Sequence, residues 1–286
     1  MTTTYRRAID EAVARLAPAT MDEREARANV RMAVMELKSW SQVDLAIKSG
    51  EEISDFMLGK LNAVVDRLVA GEPIQYILGY ADFYGMRFAV NPSVLIPRPE
   101  TAELVDLIVS DAGRRPDLSV LDLCTGSGCI AVALARNLPF SRVEAVDISA
   151  DALSVARTNS AALRASVSFL QADVLTMTPP AAPEFDIIVS NPPYIPESDR
   201  ADMDRNVLEH EPSIALFVPD ADPLRFYDAI TRYASQALRP GGYLYFEINP
   251  DFSDRIVSNL RAAGYDDVCA VRDIHGRYRF VKALHS

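Results

Sequence analysis

The sequence predicts an α/β protein: a largely parallel sheet of seven strands, the last pair antiparallel, preceded by a small helical domain and a β-hairpin linker. Three observations indicate this. Apolar residues have helical spacing over the first seventy positions, an alternating segment follows, and strand-like runs alternate with helical stretches from about residue 100. The predicted domains are 1–75, helical and substrate-recognising, 76–99, the linker, and 100–286, the sheet domain.

The N-terminal domain contains three stretches with helical periodicity. They are Tyr5, Ile9, Val13 and Leu16, then Ala26, Val30, Val34 and Leu37, and then Met57, Leu61, Val64 and Leu68. Thr20 and Glu23 have capping-box spacing before the second stretch. Ser54 is placed to cap the third helix, which Gly71 and Pro73 would end.

The linker contains a hairpin-like segment. Residues 81–90 alternate aromatic and small side chains around Gly85, and Asn91-Pro92 follows. Such alternation around a glycine is typical of two short strands joined by a turn.

Seven short apolar runs in the C-terminal domain predict strands. They are Val120–Leu123, Val143–Val146, Val167–Leu170, Ile187–Val189, Tyr243–Ile248, Val268–Arg272 and Arg279–Lys282. Helical stretches separate most of them, which favours parallel pairing. Only a short turn at His275-Gly276 separates the last two, so these should pair antiparallel.

Charge and hydropathy exclude several functional classes. The net charge of −11 and the pI near 4.8 argue against stable binding to nucleic acid, which depends on lysine and arginine. The longest apolar run, Cys129–Ala135, is too short to cross a bilayer, and the N-terminus lacks a secretory signal. We therefore expect a cytoplasmic protein without a membrane partner.

The cysteines do not suggest a metal site. Cys124, Cys129 and Cys269 show neither CxxC spacing nor a neighbouring histidine cluster. Free thiols in a reducing compartment, and no metal, are the prediction.

A glycine-containing loop follows the first predicted strand of the sheet. It comprises Cys124, Thr125, Gly126, Ser127 and Gly128, and an apolar helix begins after it. Glycines allow a tight turn and close approach of a ligand, and the helix N-terminus offers unpaired N–H groups. The loop predicts a nucleoside-type ligand.

Carboxylates near this loop suggest which nucleoside. Asp147 ends the next strand, where it could accept both ribose hydroxyls, and Asp173 could reach an adenine amino group. Asp122 precedes the turn and could meet the aminopropyl ammonium of S-adenosylmethionine. The loop with Ala131 also fits a dinucleotide fingerprint, so an NAD-dependent oxidoreductase is an alternative.

The tetrapeptide Asn191-Pro192-Pro193-Tyr194 follows a buried strand, at the edge where open α/β sheets bind ligands. Asn191 Oδ1 and the Pro192 carbonyl could accept both hydrogens of a planar NH₂ group, and Tyr194 could stack on it. The prolines would hold the backbone that aims these groups. This motif favours a methyltransferase acting on an amide or amino nitrogen, with catalysis mainly by positioning and charge stabilisation.

Several segments together resemble the HemK/PrmC family of class I S-adenosylmethionine-dependent methyltransferases, over nearly the whole chain. They are the glycine loop, Asn191–Tyr194, Gly71–Gly79, Leu95–Thr101, Glu211-Pro212 with Ala215-Leu216, and Asp273, Gly276 and Arg279. The family methylates the glutamine of the Gly-Gly-Gln motif in peptide chain release factors. The resemblance implies a Rossmann-like fold, S-adenosylmethionine as cofactor, S-adenosylhomocysteine as product, and a release factor as partner.

The resemblance also implies roles for residues. Contacts to S-adenosylmethionine would come from Cys124 to Gly128, Asp147, Asp173, Val174 and Asn191, while Asn191 to Tyr194 would hold the glutamine. Cys124 stands where the family usually has glycine, and Asn249 and Phe252 replace a usual glycine and glutamine. No role is assigned to Glu247.

Alternative functions remain open at this point. They are a glutamine methyltransferase of a ribosomal protein, an amino-methyltransferase acting on adenine or cytosine in nucleic acid, the oxidoreductase, and a non-catalytic S-adenosylmethionine sensor. The acidic composition weighs against the nucleic-acid enzyme, and the lack of a placed hydride-transfer partner weighs against the oxidoreductase.

Overall fold

The computed structural model describes residues 3–18 and 22–286. The chain forms two compact units. One comprises the described residues up to Gly79 together with Asp204–His210, and the other comprises Tyr80–Met203 with Glu211–Ser286. The hairpin therefore belongs to the unit that contains the sheet.

The first unit is helical, as predicted. Its helices are α1 (Tyr5–Leu16), α2 (Glu23–Lys38), α3 (Gln42–Lys48), α4 (Asp55–Val69), α5 (Ile74–Leu78) and a short helix Arg205–His210. The periodic residues form its core: Leu16, Val30 and Leu61 are almost fully buried. Burial of these faces holds the short helices together, since isolated helices of this length are marginal in water.

Side chains cap the starts of these helices. Ser54 accepts a hydrogen bond from the Met57 N–H at 3.3 Å, which confirms the predicted cap of α4. Asp22 caps α2 by accepting from the Arg24 and Glu25 N–H groups. The predicted capping partner Thr20 lies outside the described residues.

The second unit begins with the predicted hairpin of β1 (Tyr80–Phe83) and β2 (Met86–Ala89). Its two turn residues, Tyr84 and Gly85, both have positive φ values, of 50° and 71°. Two-residue hairpin turns of this kind match the twist of the paired strands.

A mixed sheet of seven strands forms the centre of this unit. Its strands are β3 (Ser119–Leu123), β4 (Arg142–Asp147), β5 (Val167–Gln171), β6 (Phe185–Ser190), β9 (Leu238–Glu247), β10 (Asp266–Arg272) and β11 (Tyr278–Leu284). Their order is β10-β11-β9-β6-β3-β4-β5, with β11 antiparallel to both neighbours and the other pairs parallel. The predicted class, strand number and antiparallel last pair are confirmed.

Helices cover both faces of the sheet, which explains its apolar strands. They are α6 (Pro99–Ala112), α7 (Cys129–Asn137), α8 (Ala150–Ala162), α9 (Arg225–Ala237) and α10 (Ser253–Ala262). α6 and α7 pack into one apolar cluster, with Ile108 and Leu134, while α9 and α10 pack into the other, with Ile230 and Leu260. A minor pair, β7 (Ile195–Pro196) and β8 (Phe217–Val218), was not predicted.

The direction of the connections reverses between β3 and β6. Strands β3, β4 and β5 follow one another to one side, whereas β6 lies on the other side of β3. Ser190, the last residue of β6, is paired with Leu123, the last residue of β3. Open α/β sheets bind ligands in the crevice at such a reversal. Among the described residues no helix is long and apolar enough to cross a membrane.

Candidate active site

A cavity of about 330 Å³ lies at the carboxyl ends of the central strands. It brings together most of the residues that the sequence predicted to contact the cofactor or substrate. They are Cys124, Thr125, Gly126, Ser127, Asp147, Asp173, Val174, Asn191 and Pro193. Gly128, Pro192 and Tyr194 are not part of its wall.

The two glycines of the loop serve different structural roles. Gly126 has a φ of +55° and lines the cavity, and no atom lies within 4 Å of the position a Cβ would take. Gly128 has a φ of +79°, and a Cβ there would lie 3.0 Å from Ala156 Cβ on α8. Gly128 is therefore needed for packing between two helices, whereas Gly126 leaves room at the cavity.

Cys124 has the backbone conformation that glycine usually provides. Its φ is +63°, in the left-handed region that side chains disfavour. This explains why a glycine is usual at this position in the family that the sequence resembles. Burial raises the pKa of the Cys124 thiol well above its ordinary value, with the Asp147 carboxylate acting in the same direction. The thiol is therefore neutral.

Asp147 is held in place by the backbone around it. Its Oδ2 accepts a hydrogen bond from the Gly126 N–H at 2.8 Å, and its Oδ1 accepts from the Ser149 N–H at 2.9 Å. Burial raises the pKa of this carboxyl, while the N–H groups act in the opposite direction. Each oxygen keeps further acceptor capacity, so the carboxylate is oriented for a ligand that donates.

Asp122 lies deeper than expected from its proposed contact with an ammonium group. It is completely buried in β3, and its Oδ2 accepts from the Thr125 hydroxyl at 2.6 Å and from the Ala131 N–H at 3.2 Å. Within the part of the chain that the structure describes, its Oδ1 has no hydrogen-bond partner. Burial raises the pKa of Asp122 to about 7.

Asp173 and its neighbours form another part of the wall. Asp173 Oδ1 accepts from the Leu175 N–H at 2.9 Å, and Val174 is buried beside it. Ile148, which the sequence analysis did not identify, lines the same cavity with 45% of its surface exposed. An exposed apolar side chain on the same wall as two carboxylates suits a flat ring with polar edges.

The Asn191–Tyr194 turn begins where β6 leaves the sheet. The Ser190 hydroxyl donates to the Leu123 carbonyl at 2.6 Å, and this bond joins the start of the turn to the start of the glycine loop. Asn191 Nδ2 donates to Thr101 Oγ1 at 3.3 Å. Tyr194 is partly buried, packs against the core, and has its hydroxyl 3.5 Å from Glu247 Oε1.

Glu247 is a buried carboxyl group at the end of β9, beside Asn191. Its Oε2 accepts from the Thr101 hydroxyl at 2.7 Å, and its side chain is surrounded by protein. Burial raises the pKa of Glu247 to about 7, although the Thr101 hydroxyl and the Arg279 charge act in the opposite direction. No role was predicted for Glu247, because Asn249 and Phe252 after it depart from the family's usual pattern; the sheet brings it to the turn through the pairing of β9 with β6.

Arg225 and Phe226, at the start of α9, line the cavity although the sequence did not point to them. Two longer segments that the sequence also did not assign to the cavity line it as well. They contribute Ser93, Val94, Leu95, Pro97, Arg98 and Thr101, and Pro212, Ile214, Ala215 and Phe217. Arg98 Nη2 and Glu211 Oε1 join the segments by an ion pair at 2.6 Å, and Glu211 is buried. Both segments overlap motifs that carry the family resemblance, Leu95–Thr101 and Glu211-Pro212 with Ala215-Leu216, and this overlap was the only sequence signal for them.

Comparison with known proteins identifies the family. Two family models match, a PrmC N-terminal domain over residues 7–79 and a methyltransferase small domain over residues 103–211. A release factor glutamine methyltransferase of Bacteroides thetaiotaomicron is 46% identical, covering 87% of this chain and 92% of the relative. The chain belongs to the release factor glutamine methyltransferase family.

A second release factor glutamine methyltransferase, from Flavobacterium psychrophilum, is 39% identical and covers 91% of this chain and 92% of its own. Among solved structures, a 16S rRNA methyltransferase of T. thermophilus in complex with AdoMet and guanosine has a TM-score of 0.51. It is 19% identical and covers 72% of this chain and 50% of that one, so it supports the fold alone.

The cavity in this member of the release factor glutamine methyltransferase family fits S-adenosylmethionine. Asp147 and Asp173 offer acceptors for hydroxyl and amino groups, and Ile148 offers an apolar contact. The buried Asp122, whose Oδ1 has unmet acceptor capacity, contacts the loop through the Thr125 hydroxyl. A site rich in carboxylates suits a ligand that carries positive charge on a sulfonium and an ammonium group.

Proposed function

We propose that this chain transfers a methyl group from S-adenosylmethionine to the side-chain amide nitrogen of the glutamine in the Gly-Gly-Gln motif of a peptide chain release factor. The observation that carries the proposal is the position of Asn191. It lies on the wall of the cavity that Asp147 and the glycine loop also form, at the reversal between β3 and β6. A nitrogen held by Asn191 would therefore be next to the nucleoside site.

S-adenosylmethionine, when bound, supplies an electrophilic methyl group. Asp147 would hold the ribose, Asp173 with Val174 the adenine, and the loop Cys124–Gly126 the methionine end, with Ser127 on the wall beside it. Gly128 supports this site through packing against Ala156. These contacts would fix the direction from which the methyl group is presented.

The substrate amide would be held by the turn. Asn191 Oδ1 and the Pro192 carbonyl accept its two N–H groups, Pro193 shapes the wall, and Tyr194 packs on its face. Both acceptors would favour the positive charge that develops on nitrogen in the transition state. The proton leaves afterwards from a newly acidic nitrogen, so no dedicated base is needed.

A glutamine in a flexible loop is the substrate class that this site favours. The protein carries a formal net charge of −11, which opposes binding to polyphosphate. A base in a duplex would also have to be unstacked before it reached a buried turn, at a cost of a few kcal/mol. A glutamine between glycines reaches the turn without that cost.

The helical unit would recognise the body of the release factor. Its buried residues, among them Leu16, Val30 and Leu61, form a hydrophobic cluster of their own. Binding energy from such a remote contact can be used to place the reacting group. The catalytic unit would then need to hold only the loop that carries the glutamine.

The experiment that tests the proposal is a methyl-incorporation assay with labelled S-adenosylmethionine. The substrates are a purified release factor, its glutamine-to-alanine variant at the Gly-Gly-Gln motif, ribosomal protein, DNA and ribosomal RNA. Label is expected in the intact release factor alone. Equal label in the alanine variant, or preferential label in ribosomal protein or nucleic acid, would contradict the proposed substrate.

A further inference from the structure

Glu247 and Thr101 form a hydrogen-bonded chain that ends on Asn191. Thr101 lies in the first turn of α6, Glu247 ends β9, and Asn191 follows β6. β6 and β9 are neighbours, and Ser190 is paired with Phe246, so the next residues of both strands leave the sheet together. Three separate elements thus meet at one carboxamide.

We propose that Glu247, acting through the Thr101 hydroxyl, sets the orientation of the Asn191 carboxamide. Glu247 and Thr101 are then positioning residues for methyl transfer. The inference rests on the proposed function of Asn191. It assigns a task to a buried acid and a buried hydroxyl that the cofactor and substrate contacts leave unused.

The direction of the hydrogen bonds carries the inference. An ionised carboxylate only accepts, so the Thr101 hydroxyl must give its single proton to Glu247 Oε2, at 2.7 Å. The Thr101 oxygen is then left with acceptor capacity alone, and it takes the N–H of Asn191 Nδ2 at 3.3 Å. The Asn191 nitrogen therefore faces Thr101, and Oδ1, on the other side of the carboxamide, is left for the substrate.

The opposite orientation would remove the acceptor that the reaction needs. If Thr101 instead donated to Asn191, the side chain would rotate and present its NH₂ group to the substrate NH₂ group. Two donors facing each other cannot form a hydrogen bond. Asparagine has nearly equal shape in both orientations, so only its partners can distinguish them.

Glu247 also contacts Tyr194, the last residue of the turn. Its Oε1 lies 3.5 Å from the Tyr194 hydroxyl, and the Tyr227 hydroxyl donates to its backbone carbonyl at 3.1 Å. Charged groups that face it are Arg279 on β11, which favours the ionised carboxylate, and Glu100 on α6, which opposes it. Because burial raises the pKa of Glu247 to about 7, the orienting charge is lost when the pH falls below neutrality.

Kinetics of four variants test the inference. Thr101→Val keeps the shape without the hydroxyl and should lower kcat about tenfold or more while the Kd for S-adenosylmethionine changes less than about twofold. Thr101→Ser restores the hydroxyl and should restore kcat. Glu247→Leu, which offers no acceptor to the Thr101 hydroxyl, should be slow as well. The double variant Thr101→Val with Glu247→Leu should be no slower than the slower single variant. Thr158→Val, at an exposed helical site, is the matched control.

Wild-type kcat in Thr101→Val, or Thr101→Ser as slow as Thr101→Val, would overturn the inference. So would strict additivity of the two single effects, because residues in one chain of hydrogen bonds do not act independently.

A measurement without substrate separates this inference from the proposed function. In protein labelled with ¹⁵N-asparagine, the Asn191 side-chain signal, assigned by its loss in Asn191→Ala, should shift with pH around about 7 as Glu247 titrates. The shift should vanish in Glu247→Gln and in Thr101→Val. A signal that does not respond to pH in the wild type overturns the inference. If the shift is present but no release factor is methylated, the proposed function fails instead.

Discussion

The Ser190 hydroxyl donates a hydrogen bond to the Leu123 carbonyl at 2.6 Å, and both residues are paired at the ends of neighbouring parallel strands. Cys124 begins the glycine loop directly after Leu123, and Asn191 begins the substrate turn directly after Ser190. One buried hydrogen bond therefore links the proposed cofactor site to the proposed substrate site.

Ser190→Ala should weaken both sites together. The variant leaves a buried carbonyl without this partner, which costs about 1–3 kcal/mol of stability, and it loosens the spacing between loop and turn. Urea unfolding, calorimetry with S-adenosylmethionine and turnover should all change. Ser154→Ala, an exposed helical serine, should change stability by less than about 0.5 kcal/mol. Loss of stability in Ser190→Ala with normal turnover would show that the bond is only structural.

Asp147→Ala should weaken binding of S-adenosylmethionine and S-adenosylhomocysteine by similar factors. The carboxylate would otherwise accept ribose hydroxyl groups, in charge-assisted bonds of about 1.5–3 kcal/mol each at most. Isothermal calorimetry measures both ligands. Binding of NADH in the micromolar range, without binding of S-adenosylmethionine, would contradict the cofactor assignment.

Asn191→Ala should lower kcat about a hundredfold or more while the fold is retained, because it removes an acceptor aimed at the reacting nitrogen. Single-turnover assays with release factor, and circular dichroism, make the comparison. Turnover near that of the wild type would indicate that the turn is structural. Tyr194→Ala should mainly raise KM.

Gly126→Ala and Gly128→Ala should be impaired in different properties, cofactor binding in the first and stability in the second. Both place a side chain at positive φ, but only the Gly128 variant also brings a Cβ to 3.0 Å from Ala156 Cβ. Gly128→Ala should therefore be the less stable of the two, and Gly126→Ala should mainly affect cofactor binding at the cavity wall. Combining Gly128→Ala with Ala156→Gly should restore part of the lost stability. No recovery in thermal unfolding would contradict the packing explanation.

Stability should fall as the pH rises from about 4.5 to about 7. Burial raises the pKa of Asp122 from 3.8 to about 7 and that of Glu247 from 4.5 to about 7. In this window the folded protein holds protons that the unfolded chain releases, so their contribution is present at low pH and is lost through neutrality. Urea unfolding at several pH values between about 4.5 and about 7 measures this change in stability. Glu247→Gln and Asp122→Asn should each reduce the slope, and an unchanged slope in both would contradict the shifted values.

Deletion of residues 1–70 should abolish methylation of an intact release factor but weaken binding of S-adenosylmethionine much less. The proposed reason is loss of the contact to the body of the substrate, so a short Gly-Gly-Gln peptide should be affected much less. KM for both substrates, with calorimetry as a folding control, gives the comparison. An equal loss for peptide and protein would argue against a recognition role for the helical unit.

The sequence alone determined the main elements, the order of the proposed catalytic motifs and the family, but not the short helices α3, α5 and Arg205–His210 or the β7–β8 pair. Periodicity predicted the helical unit and all seven strands because each element buries one face or both, and the pattern of apolar residues records that burial. The loop after Leu123 was recognisable because its glycines free the backbone locally. The turn after Ser190 was recognisable because its prolines restrict the backbone.

Only the tertiary structure decided which residues meet. Thr101, Asn191 and Glu247 are far apart along the chain, and the strand order β9-β6-β3 together with α6 brings them into contact. Packing against Ala156 likewise explains why a glycine is needed at position 128. The fold also buries Asp122 completely. Local patterns report the conformation of a segment, whereas hydrogen bonds between distant segments and the burial that shifts a pKa depend on the whole fold.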